Sequence, residues 1–275
     1  MKRSSVPLTL VTAAICVSLA VTAFAATKVD VNTVPRVLPS DLNVSAGRHN
    51  LSGGGSGIGN TATDQVCVFC HTPHFSNADA NAIDAPLWNR NTSGATYTPY
   101  SSGTMDTTPG NPDGGSIACL SCHDGTVALD SLVNAPGRDG VNGYALGGTE
   151  NAAFTNDPTF SLNWDFTDNG NPMSKPATLL ELGSARIIIG TDLSNDHPIS
   201  MAYPTAALDP GFNQPPGTPG GPRVFENGIR TFAGDKVQCG SCHEPHVSSS
   251  GKPWFAMYLR LSNQQSAMCL TCHIK

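Results

Sequence analysis

One short pattern, used four times, constrains this chain more than any other feature: two cysteines separated by two residues and followed at once by histidine. It stands at Cys67-Val68-Phe69-Cys70-His71, Cys119-Leu120-Ser121-Cys122-His123, Cys239-Gly240-Ser241-Cys242-His243 and Cys269-Leu270-Thr271-Cys272-His273. With 8 histidines in 275 residues, four placements by chance have a probability on the order of one in a million. A disulfide scaffold or paired zinc sites would use the cysteines but would not require the histidine after each pair. A thioredoxin-like redox pair would occur once, opening a helix after a strand.

The spacing suits one chemistry. Two thiols add across the two vinyl groups on one edge of a porphyrin, and the adjacent histidine folds under the ring to reach the iron. The eight cysteines therefore imply four covalently bound c-type hemes, with His71, His123, His243 and His273 as proximal iron ligands. Four hemes have eight axial positions, and four histidines remain: His49, His74, His197 and His246. That equality points to bis-histidine ligation throughout. Methionine at 105, 173, 201, 257 or 268 is the alternative, and would raise the potential of its heme.

His74 and His246 each follow a proximal histidine by three residues, in His71-Thr72-Pro73-His74 and His243-Glu244-Pro245-His246. Three extended residues span at most about 10–11 Å, too little for two imidazoles to face each other through one iron. Each proline also keeps its predecessor out of helix. Each of these histidines is therefore expected to serve a different heme from its neighbour.

Saturated iron carries electrons and binds no substrate, so the expectation is an electron carrier and not an enzyme. A nitrite or hydroxylamine reductase needs one open heme, and that reading returns if His49 or His197 is a bystander.

Residues 1–25 place Lys2 and Arg3 before an apolar run over 8–21 and end on Ala23-Phe24-Ala25, a signal peptide with cleavage before Ala26. The run is shorter than the roughly 20 residues of a bilayer span, so no transmembrane segment is expected after cleavage. A tetraheme quinol dehydrogenase would keep this segment as an anchor. Removing it leaves 13 basic against 21 acidic residues, a net charge of −8. This argues against nucleic acid as a partner. Cys16 lies in the removed segment, and Ile15 before it rules out a lipobox. Charged residues are 13% of the chain, with 28 glycines and 21 prolines, which disfavours long helices.

Read by ligands alone, the order His49, CxxCHxxH, CxxCH recurs as His197, CxxCHxxH, CxxCH. We read 26–275 as one tetraheme domain built of two diheme pseudo-repeats, about 45–131 and 191–275, joined by 132–190. Glycine-rich 53–57 and proline-rich 215–222 read as loops. Residues 179–182 read as a helical turn and 186–189 as a short strand. Trp88, Trp164 and Trp254 read as core residues packed beside porphyrins.

The flanks of these motifs resemble a known family, the extracellular tetraheme c-type cytochromes of metal-reducing bacteria, OmcE-like subunits of cytochrome filaments. The resemblance rests on Arg48-His49-Asn50-Leu51-Ser52, the run from Cys67 to His74, Leu87-Trp88-Asn89-Arg90 and Cys119 to Val127. It continues in Ser194-Asn195-Asp196-His197-Pro198-Ile199-Ser200, His243 to His246 and Leu261 to His273. It implies a multiheme cytochrome c fold, mostly coil with short helices and a few short strands wrapped around a heme chain. It also implies export to the cell surface, electron delivery to other multiheme cytochromes or external acceptors, and polymerisation in which a histidine crosses between subunits. His49, preceding a glycine-rich loop, is the expected crossing ligand. The alternatives left open are a monomeric periplasmic shuttle and a heme-based reductase.

Overall fold

The computed structural model describes residues 29–52, 58–60, 65–77, 84–127, 129, 131–134, 166–168, 171–172, 188–248, 252 and 257–274. The leader, the 53–57 loop, the 179–182 turn, Met173, Trp164 and Trp254 lie outside them.

Irregular backbone dominates, as the glycine and proline content requires. The α-helices are α1 (Gly114–His123), α2 (Cys239–Cys242) and α3 (Ala267–Cys272). One antiparallel sheet has the order β1 (Ile58–Asn60), β2 (Phe166–Asp168), β3 (Asn171–Pro172), with Gly59 opposite Thr167. A second pairs β4 (Met201–Ala202) with β5 (Lys236–Val237), Met201 opposite Val237. The strand expected over 186–189 is not formed at Ile188 and Ile189; Ile189 N instead donates 2.8 Å to the His123 carbonyl. That bond uses the donor a ladder would need, and fastens the chain beside the second motif.

Apolar packing among the described residues is divided into small clusters. Val34, Ile229, Leu261 and Ala267 form one, Tyr97, Leu120 and Leu193 another, and Trp88 packs on Ala118. Polar groups fill much of what lies between. Arg90 is fully buried, its guanidinium donating to the Leu129 and Ser121 carbonyls. Arg223 is buried against Asp235, which also accepts from Thr231.

Two hairpin-like crossings repeat. Thr72 N donates to Leu87 O at 3.0 Å and Asn89 N to Cys70 O at 2.9 Å; Glu244 N donates to Tyr258 O at 2.7 Å and Arg260 N to Cys242 O at 2.8 Å. Side chains repeat the correspondence: Asn89 Nδ2 donates to Val68 O and Arg260 Nε to Gly240 O. Each CxxCHxxH stretch is thus closed by a segment that returns antiparallel to it.

The halves meet where α1 packs on α2. Ser116 Oγ donates to Gln238 Oε1 and accepts from Cys239 N, while Gln238 Nε2 donates to Asp113 Oδ1. Lys236 also pairs with Asp113. Gly114 opens α1 at φ +51°, and a Cβ there would lie 2.9 Å from Gln238 Nε2, so the join requires glycine both for conformation and for space. None of the described helices is long and apolar enough to cross a membrane.

Candidate heme-binding site

Three of the four motifs close one turn by the same bond. His71 N donates to Cys67 O at 2.8 Å, His243 N to Cys239 O at 3.0 Å and His273 N to Cys269 O at 2.9 Å. Cysteines three apart on a helical turn lie on one face, which is what two thioether bonds to one porphyrin edge need. After the turn the chain straightens, at φ −109°, ψ 144° for His243 and φ −91°, ψ 133° for His273, so the imidazole leaves the helical path. The second motif sits within the longer α1, with His123 as its last residue. All eight described thiols are free of disulfides.

The imidazoles come together in pairs. The centroids of His71 and His246 are 6.1 Å apart, those of His49 and His123 6.2 Å, and those of His197 and His273 6.4 Å. An imidazole nitrogen binds a metal at about 2.0–2.1 Å and its ring centre lies about 1.1 Å behind, so two imidazoles across one iron stand about 6.3 Å apart. The pairs fit that separation, and each joins one proximal histidine to one of the spare four.

The ring nitrogens are also sorted. Nδ1 of His71 donates to Pro86 O at 2.8 Å, of His49 to Pro245 O at 3.0 Å, of His197 to Pro198 O at 2.9 Å and of His243 to Met257 O at 2.9 Å. A carbonyl oxygen only accepts, so Nδ1 carries the proton and Nε2 presents its lone pair. Fixing the tautomer and orientation in this way is what a metal-binding imidazole requires. Desolvation lowers the proton affinity of His243 and pushes His49 down to about 4, keeping both neutral and able to ligate.

His246 differs: its Nδ1 donates 2.8 Å to Glu244 Oε1, whose other oxygen accepts 2.7 Å from Arg260. Burial opposes ionisation of Glu244, but the His246 hydrogen bond and the Arg260 charge outweigh it and hold the carboxyl at about 2.

His49 does not reach away from its own body. Its ring faces His123, stacks on Tyr258 at 4.4 Å, and its backbone N–H donates 3.1 Å to the Tyr258 hydroxyl. The second half of the chain therefore holds it in place. His246 faces His71 and not the adjacent His243, in keeping with the short span between them.

Two histidines are left over. The His74 imidazole is exposed and has no ring or hydrogen-bond partner among the described residues; His243 has its Nδ1 contact but no imidazole opposite it. Exposed apolar side chains flank both: Phe75 (81% exposed) and Leu87 (49%) beside His74, Met257 (66%) beside His243.

The attachment cysteines adjoin in sequence order. Burial pushes Cys70 up to about 12, with a further contribution from Cys122; Cys119 shares a hydrogen bond with Cys239; Cys242 and Cys272 sense each other and Cys269. Sequence reasoning singled out these sixteen cysteines and histidines but not the carbonyls, Tyr258 or the Glu244–Arg260 pair that adjoin them. No periodicity marks a carbonyl acceptor, although Pro73 and Pro245 accord with the non-helical backbone of Thr72 and Glu244.

No curated protein matches the chain. A family described as a doubled CXXCH motif matches residues 231–275, which contain the third and fourth motifs and His246. Together with the site geometry, that match supports a multiheme c-type cytochrome that binds heme c covalently and transfers electrons through it.

Proposed function

We propose that the chain binds four hemes, one at each motif, and works as an exported electron carrier that polymerises into an extracellular filament. Each heme supplies a one-electron Fe(III)/Fe(II) couple, and the adjoining attachment sites set the four in a row. Acceptors are other multiheme cytochromes or external oxidants. Residues 1–25 serve as the export signal.

The observation that carries assembly is the pair of leftover histidines. The pseudo-repeats use their ligands alike: His49 faces the second motif of its half and His197 the second motif of the other. His246 passes from the second half to the first motif of the first half. Repeating that step in the same direction sends His74 to the His243 heme of the next copy. Such a heterologous contact does not close on itself and builds a filament. Phe75 and Leu87 on one copy then meet Met257 on the next, burying apolar groups otherwise left in water.

A second reading has its own support: without a neighbour, His243 leaves its iron an open position, as a reductase requires. Electron microscopy and spin-state spectroscopy on native protein separate the two. Filaments with four low-spin hemes per subunit are expected. A species that stays monomeric at high concentration with four low-spin hemes overturns the filament, and a persistent high-spin heme that reduces nitrite or hydroxylamine favours the enzyme.

A further inference from the structure

The Nδ1 atoms of His49, His71, His197 and His243 each meet a backbone carbonyl. That of His246 meets a carboxylate, Glu244. We propose that Glu244 tunes the heme bracketed by His71 and His246, lowering its reduction potential relative to the heme-ligand environment that carbonyl acceptors provide. The proposal rests on the reading that these two imidazoles share one iron.

A carboxylate draws on the Nδ1 proton more strongly than a neutral carbonyl. The ring gains imidazolate character, Nε2 becomes the better donor, and Fe(III) is stabilised over Fe(II). The negative charge near the iron acts in the same direction. One electron is exchanged with an adjacent heme; the proton stays on Nδ1 and Glu244 stays ionised in both oxidation states.

The carboxylate is held rigidly. Oε2 accepts 2.7 Å from Arg260 Nη1, and Arg260 is itself buried and fixed by its Nε donating 2.6 Å to Gly240 O. The Glu244 backbone N–H is bound to Tyr258 O. In the other half Thr72 occupies the matching place, and its hydroxyl donates to His74 O instead. The repeat thus provides the same fold of chain with and without the carboxylate, and the difference distinguishes the surroundings of His246 from those of His74.

The test is potentiometric titration of the four-heme protein for wild type, E244Q and the exposed control E226Q, with H246A measured for spin state. In E244Q one heme should shift at least tenfold toward the ferrous form, about 59 mV upward for a one-electron couple, with no high-spin heme beyond those of wild type in the same assembly state and with E226Q near wild type. An unshifted titration overturns the proposal, as does a uniform shift matched by E226Q, or a high-spin heme in E244Q that wild type lacks in the same assembly state, which would show that Glu244 only holds the ring in place. Should E244Q fail to accumulate with four hemes, E244D replaces it: a smaller upward shift of one heme supports tuning, and no shift overturns it. If H246A leaves every heme low-spin, the shared-iron reading fails whatever E244Q does; if H246A gives one high-spin heme and E244Q is silent, tuning alone fails.

Discussion

The ring of His71 lies nearly parallel to that of His246, 16° between planes, although the two residues come from opposite halves of the chain. A heme held between the two imidazoles would link the halves. Replacing His246 by alanine is therefore expected to produce one high-spin heme and also to lower the thermal midpoint, read by resonance Raman and by visible circular dichroism on heating.

His49 and His197 face partners within their own chain, whereas His74 does not. H49A and H197A should each add one high-spin heme to those of the wild type at any protein concentration. H74A should leave the dispersed subunit's spectrum unchanged and abolish the change to fully low-spin hemes on assembly. Magnetic circular dichroism across a concentration series checks this; an H74A effect in dilute monomer would mean the ligand acts within the chain.

Phe75 and Met257 are the most exposed large apolar side chains at the two leftover histidines. F75D or M257D should block polymer growth without changing heme content. Intact mass should still show four hemes while sedimentation shows a monomer.

Gly240 lies inside the third motif with no room for a methyl group: a Cβ there would be 2.8 Å from the Phe232 ring. Overpacking of this kind costs about 1–3 kcal/mol. G240A should reduce stability and heme occupancy at that motif, and F232A combined with G240A should recover much of the loss. Urea titration and intact mass on the single and double variants read both effects.

Arg90 is completely buried, and its guanidinium satisfies carbonyls on two separate segments. R90M keeps much of the side-chain volume but leaves those acceptors unpaired, for an expected loss of about 2–4 kcal/mol. Denaturant unfolding of the holoprotein checks the figure.

The sequence was most informative where covalent chemistry dictates spacing. Cysteines three apart and a following histidine have few uses, so covalent heme attachment could be read directly. The short reach from His243 to His246 likewise allowed the prediction that they serve different hemes. What escaped was set by contacts distant in sequence. Nothing near His49 indicates that Tyr258 and Pro245 will hold it, so the glycines after it suggested an outward reach that the structure does not show. The strand expected over 186–189 is not formed at Ile188 and Ile189, where the bond from Ile189 to His123, distant in sequence, takes the donor a ladder would need. Arg90 stood within a motif-like stretch, yet burial of a charge has no local signature.

The imidazoles at 49, 71, 197 and 243 are oriented by the carbonyls of Pro245, Pro86, Pro198 and Met257. Every amino acid carries a carbonyl, so mutation can exchange these side chains freely while the donor alignment persists, provided the backbone keeps its course. A conductor built in this way is insulated from sequence drift. Its descendants can diverge in surface, charge and binding partner, and still inherit the same alignment of imidazoles.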